Sequence, residues 1–391
     1  MVHLLLALIY LAFISLGLPD SLLGSAWPAI YPEISVPVSW SGLIFLLISA
    51  GTVAASLLSD RLSRRLGTGR LTLLSVFLTV FALYGFSVSR SFALLCLFAI
   101  PYGLGAGGVD TALNNYVALH YASRHMSWLH CMWGVGASLG PLVMGAALTR
   151  GLGWNSGYRT VALMQTAVFL VLLLSQPLWR KMEQNEAFEA EDAESAPPLP
   201  LREIVALPGV RSAMVCFFCY CALEQTVGLW ASSYLVLVKG VDAATAARFA
   251  ALFFLGVTAG RALSGFLTLR FGDDEMVRLG QAVCLLGLLL MLLPLGRFLA
   301  LAGLIVIGLG CAPVFPSLVH ASPRHFGARY SHAAIGVQMA SAYVGTSLMP
   351  PVFGLLGRGI SFRLLPYDLL LMLLLMAATH RALCKSTKNS E

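Results

Sequence analysis

LGLPDSLLGSAWPAIY, Leu16 to Tyr31, sets the carboxylate of Asp20 directly after a proline, inside an otherwise apolar segment that runs from residue 4 to residue 30. A segment of that length suits a hydrocarbon core of ~30 Å crossed by a helix. An aspartate near a bilayer centre costs roughly 2.5 to 3.5 kcal/mol on insertion scales, so it is retained where it faces a bundle interior or a water-filled cavity. The stretch therefore reads as the first span of a helical membrane protein built around a polar cavity.

The rest of the chain has the same character. Of its 391 residues 58% are hydrophobic and 11% charged, against roughly 25% charged in a soluble domain. Apolar runs recur along the chain and give twelve spans between residues 4 and 383, so the fold class is all-α membrane protein with twelve transmembrane helices. A net charge of +7 would suit nucleic acid in a soluble protein. Here the distribution accounts for it: with the N-terminus inside, the 25 Lys and Arg residues divide 17 to 8 in favour of the inner side. The positive-inside rule then puts both termini in the cytoplasm of a multi-pass protein of the cytoplasmic (inner or plasma) membrane, with the lipid bilayer rather than nucleic acid as its partner. The opening MVHLLLALIY lacks a basic n-region, and no A-x-A-like site follows, so a cleaved signal peptide is not expected. Cys216, Cys219 and Cys221, in CFFCYC, are expected to pack as small apolar residues rather than to hold a metal.

Between the sixth and seventh spans lies the longest polar interruption, with Glu183, Glu186, Glu189, Glu191, Asp192, Glu194, Pro197, Pro198 and Pro200. It predicts a cytoplasmic linker over 181–209, with a short surface helix near Leu201 to Leu207, between an N-terminal six-helix bundle (1–180) and a C-terminal one (210–391). The halves match at one offset of 205 residues: Gly51, Ser59, Arg65 and Gly67 fall on Gly256, Ser264, Arg270 and Gly272, and Gly103-Leu104-Gly105 falls on Gly308-Leu309-Gly310. His120, Gly140 and Met144 fall on His325, Gly345 and Met349 in the same register. Two parallel six-helix repeats, with a site between them near the midplane, are a recurring transporter plan.

SLLSDRLSRR, Ser56 to Arg65, resembles the loop signature of the major facilitator superfamily between its second and third helices. Asp60 and Arg61 make its acid–arginine pair and Arg64 and Arg65 its basic pair, while Ser56 and Ser63 stand where glycines are usual. The second-half echo, GRALSGFLTLRFG (Gly260 to Gly272), has Gly265 in place of the acid. LGLPDSLLGSAWP with an acid in the fourth span looks most like the fucose-permease-like branch. The resemblance implies two pseudo-symmetric six-helix halves rocking about a central site, with Asp60, Arg61, Arg64 and Arg65 as gating residues. It further implies proton coupling through acids of the first and fourth helices, here Asp20 and Asp110.

Asp20, Asp110 and Glu224 are the acids that stand midway along a span. Burial penalises the charged form of a carboxyl group, so such an acid can take up and release a proton; these three are the proton-coupling candidates. Asn114, one turn after Asp110, and Asn115 beside it are candidates for binding a solute, as are His130 and Trp133 in the fifth span, Gln225 and Trp230 in the seventh, and Gln338 and Tyr343 in the eleventh. Amides suit hydroxyl groups, and indoles can wall a sugar ring. Arg261 is read as snorkelling or pairing at the gate. Gly136 to Gly145, GASLGPLVMG, resembles the proton-antiporter signature and argues for export; the fourth span lacks the arginine that the drug-antiporter signature has, which argues against it.

No GxxxxGK[ST] loop is present, so ATP is not expected to drive the process. The leading reading is a non-enzymatic, cofactor-free, monomeric secondary transporter that moves a small polar solute, a sugar foremost, together with protons by symport. The rival readings are proton-antiport efflux of an amphipathic compound and a non-transporting sensor on the same fold.

Overall fold

In a computed structural model of the protein, the described residues are 2–121, 123–186, 201–268, 270–293 and 296–388, and they are helical almost throughout. The first span is α1 (Val2–Asp20) followed by α2 (Leu22–Glu33). Then come α3 (Ser41–Leu66), α4 (Thr68–Val88), α5 (Phe92–His120), α6 (Ser123–Thr149) and α7 (Gly153–Leu174). Two shorter helices, α8 (Gln176–Glu186) and α9 (Leu201–Ala206), precede the seventh span. The second six spans are α10 (Val210–Lys239), α11 (Ala243–Leu267), α12 (Asp273–Leu292), α13 (Arg297–Cys311) with α14 (Val314–Phe326), α15 (Ala328–Gly359) and α16 (Leu365–Lys388). Among the described residues, twelve stretches are long and apolar enough to cross a membrane, the expected number.

The chain divides into two compact units, Met1–Ala196 with Ala243–Ala251, and Pro197–Asp242 with Leu252–Glu391. The chain is still helical at residue 181, where the linker is expected to begin. Helix continues through α8 to Glu186, because Trp179 is 1% exposed and packs into the first unit's core, and because Gln176 Nε2 donates to the Gly69 carbonyl at 3.0 Å. Residues 187–200 lie outside the described residues, while α9 occupies the expected surface-helix position.

The 205-residue repeat has a packing counterpart inside each unit. A Cβ on Gly51 of α3 would press on the backbone of Gly103 and Leu104 in α5, and one on Gly256 of α11 would press on the backbone of Gly308 and Leu309 in α13. The matched glycines let paired helices approach backbone to backbone, the way small residues are used where lipid supplies no hydrophobic drive. Cys216, Cys219 and Cys221 are buried, and Cys216 Sγ donates to the Met376 carbonyl at 3.7 Å, in keeping with packing. Outward faces carry bare apolar side chains such as Phe81, Leu174, Phe266 and Phe298, which suit a hydrocarbon surround.

Candidate functional site

Pro19 lacks the N–H that would bond to the carbonyl four residues back, and the first span breaks immediately after it, at Asp20–Ser21. Asp20 is therefore the last residue of α1, and it is exposed although it stands midway along the span. The break is held by α6: Ser21 Oγ donates to the Ala137 carbonyl at 2.7 Å. Close approach of the two helices depends on small residues, since a Cβ on Gly17 would overlap the Trp133 carbonyl and one on Gly136 would overlap the Ile14 carbonyl. The antiporter-like glycines of α6 thus have a packing role against α1.

That approach brings the Trp133 indole onto Asp20. Trp133 Nε1 donates to Asp20 Oδ2 at 2.7 Å, and the Tyr102 hydroxyl, from α5, donates to Asp20 Oδ1 at 2.6 Å. Both donors are neutral, and they differ in one respect. An indole N–H only donates, whereas a phenol can donate to a carboxylate or accept from a carboxylic acid. Protonation of Asp20 on Oδ1 therefore needs only a rotation of the Tyr102 hydroxyl.

Two turns beyond Tyr102 on α5, Asp110 lies close enough to Asp20 for their charges to interact. Asn114 Nδ2 donates to Asp110 Oδ1 at 2.9 Å and to the Asp110 backbone carbonyl at 3.0 Å. Asn114 thus spends its amide nitrogen on the neighbouring acid. His130 stands edge-on to Phe13, with ring centres 5.9 Å apart. Asn115, Asp60, Arg61 and Arg64 belong to α5 and α3, but their side chains lie outside the described residues; Arg65 is exposed.

In the second unit the residues expected around a cavity separate. Gln225 and Tyr343 are half-buried. Trp230 is 0% exposed: its Nε1 donates to the Pro350 carbonyl at 2.7 Å, and Phe353 and Phe362 pack on its ring, so it is a core residue rather than a cavity wall. Gln338 is 1% exposed and accepts from Ser322 Oγ at 3.3 Å, an interhelical bond between α14 and α15 rather than a solute contact. Arg261 does not snorkel. It turns inward to Glu224, 3.6 Å away, because a mid-span carboxylate is the stronger attraction once both groups are removed from water.

Among the described residues neither the buried hydroxyl of Tyr220, one turn before Glu224, nor Glu224 Oε1 has a hydrogen-bond partner, and Oε1 has only its 3.6 Å ion pair with Arg261. Breaking such a pair from one side leaves a buried uncompensated charge. Glu224→Gln and Arg261→Met are each expected to lower stability by about 3 kcal/mol, and the double substitution to recover most of that. Thermal unfolding in detergent measures it; additive losses would mean that the two groups do not act as a pair.

Sequence reasoning passed over Tyr102, although it stands eight residues before Asp110 on the same helix and extends the polar line through Asp110 and Asn114. Also missed was Asp274, whose Oδ1 stands 3.1 Å from both His325 Nε2 and His380 Nε2 and whose Oδ2 accepts from Arg324 at 2.5 Å. The only trace of it was His325 in the repeat.

Comparison with known proteins agrees with this architecture. The chain is 23% identical over 385 residues to Bypass of stop codon protein 6 of Saccharomyces cerevisiae, covering 90% of this chain and 77% of the relative. It is 21% identical over 315 residues to the Glucose/mannose transporter GlcP of Bacillus subtilis, covering 78% and 77%. Two solved structures share the fold: a bacterial homologue of the human lysosomal transporter Spinster, inward-facing and occupied (TM-score 0.70, 14% identity, 99% and 97% covered), and the nucleoside transporter NupG (TM-score 0.72, 12% identity, 97% and 98% covered). The family model described as Major Facilitator Superfamily matches residues 9–350. With twelve spans, matched halves and that match over most of its length, the chain belongs to the major facilitator superfamily, a family of membrane transporters for small molecules rather than of enzymes.

Proposed function

We propose that the protein is a proton-coupled symporter of a small polar solute, with a sugar as the first class to test, in a cytoplasmic membrane with both termini inside. One observation carries the reading: Asp20, exposed midway along a broken span, has both carboxylate oxygens on neutral donors, one of which can reverse its hydrogen bond. A cationic partner would hold the carboxylate charged; Tyr102 can serve either protonation state. Asp110, two turns beyond Tyr102 on α5, supplies a second acid for the proton route. The sugar class rests on the GlcP relative and on the Asn114 side-chain carbonyl, which takes no hydrogen bond among the described residues and can accept one from a hydroxyl.

Counterflow of labelled hexoses in proteoliposomes tests transport, and an imposed pH gradient tests coupling. Inside-alkaline vesicles are expected to accumulate solute; expulsion along the opposite gradient would instead support antiport. Tyr102→Phe keeps the ring packed against Phe86 but removes the reversible partner. It is expected to slow pH-driven uptake by about 10- to 100-fold, the range for loss of a positioned proton-transfer group, while counterflow falls less. An equal loss in both assays would make Tyr102 a packing residue only.

A further inference from the structure

At one end of the second unit, the first turn of α12, the last turn of α14 and the final turns of α16 bring Asp274, His325, His380 and Cys384 together. One ligand atom each from Asp274, His325 and Cys384 lie within 4.8 Å of one another. His380 Nε2 is 3.1 Å from Asp274 Oδ1 and 3.6 Å from Cys384 Sγ. His380 and Cys384 are one turn apart on α16, a spacing that puts two ligands on one helix face. We propose that these residues form a binding site for a divalent transition metal of the zinc class, tying α12, α14 and α16 together independently of the transport site.

The hydrogen-bond directions around His325 point to a cation. Thr387 Oγ1 donates its single proton to the Leu383 carbonyl at 3.1 Å, so its contact with His325 Nδ1 at 2.9 Å is one in which the ring nitrogen donates. The remaining nitrogen, Nε2, faces Asp274 Oδ1 at 3.1 Å, a contact that either a second ring proton or a metal ion between the two atoms would satisfy. A ring whose outer N–H is fixed by a second group is the usual arrangement of a metal-bound histidine. Arg324 occupies Asp274 Oδ2, which leaves Oδ1 as the oxygen facing the imidazoles.

The donor set decides the metal. One thiolate, two imidazoles and one carboxylate suit four-coordinate Zn2+, whose ligand atoms sit about 3.3 to 3.8 Å apart for bonds of about 2.0 to 2.3 Å. Asp274, His325 and Cys384 already lie together, and His380, 3.1 Å from Asp274 Oδ1 and 3.6 Å from Cys384 Sγ, has to move toward His325 to complete the shell. Calcium and magnesium, which take oxygen ligands, are disfavoured by the same set.

The test uses the purified full-length protein, stripped with chelator and titrated with Zn2+ and separately with Co2+. One Zn2+ per chain is expected to bind and to raise the unfolding temperature. Bound Co2+ should give the intense visible bands of a tetrahedral site together with a thiolate charge-transfer band. Cys384→Ser should remove the charge-transfer band and weaken Zn2+ binding by at least about 100-fold, and Thr387→Val should weaken it by about 10-fold. Equal Zn2+ affinity in the wild type and both variants, or a pale octahedral Co2+ spectrum in the wild type, overturns the proposal; a second imidazole proton would then be the cation beside His325.

Discussion

Asp20→Asn is expected to abolish uphill accumulation of solute and to leave exchange across the membrane largely intact. The amide is close to isosteric and can satisfy the same surroundings: its oxygen accepts from Trp133 Nε1, and its nitrogen donates to the Tyr102 oxygen, with the hydroxyl turned as it would be beside a protonated acid. No buried donor or acceptor is orphaned, so the cost to the fold is small. What the amide cannot do is release a proton. In the wild type, one proton per solute allows at most about tenfold accumulation per pH unit, since 1.4 kcal/mol is a factor of ten; in Asp20→Asn the ratio is expected to fall to about one. Asp110→Asn should act in the same direction. Full pH-driven accumulation in Asp20→Asn would remove that carboxylate from the proton route.

Trp230→Ala carries the largest expected cost in stability. The indole is 0% exposed, lies between Phe353 and Phe362 with ring centres 6.2 and 5.4 Å away, and closes its only donor on the Pro350 carbonyl. Truncating a buried tryptophan to alanine removes about 3 to 5 kcal/mol through lost burial and a residual cavity, and the Pro350 oxygen loses its partner as well. A fall of the unfolding midpoint in detergent, with solute affinity of the surviving folded protein unchanged, is the expected pattern. A wall of a solute cavity would behave in the opposite way, with weakened affinity and an unchanged midpoint.

These substitutions also mark what the amino-acid sequence conveys. The twelve spans and the division into halves are legible because a bilayer demands long apolar helices, and because the repeated glycines answer to repeated close contacts such as Gly51 on α5 and Gly256 on α13. Asp20, Asp110 and Glu224 stand out because a mid-span acid is costly wherever it points. Direction is what the sequence withholds. Trp230 and Gln338 look like cavity residues by type, but each satisfies its polar atom on a neighbouring helix of its own unit. Arg261 looks like a snorkelling end-of-span cation and instead meets Glu224. Helices with apolar residues all round give no periodic signal to tell an inner face from an outer one.

Partners distant in sequence are the other gap. Tyr102 and Trp133 lie 82 and 113 residues from Asp20 and reach it only through the α1–α6 and α1–α5 packing. Asp274 gathers His325 and His380 from 51 and 106 residues away, across three helix ends that no local motif connects. The helix that runs past residue 181 has a related cause: the indole of Trp179, just before the charged stretch, has a core position to fill.

The claim that Asp20 couples solute to proton movement is tested most directly by following the internal pH of proteoliposomes, without any imposed gradient, when a solute identified by counterflow is added outside. Internal acidification with the wild type, matched to solute entry and absent with Asp20→Asn, is the expected result. Solute entry with no pH change, or with internal alkalinisation, would contradict it.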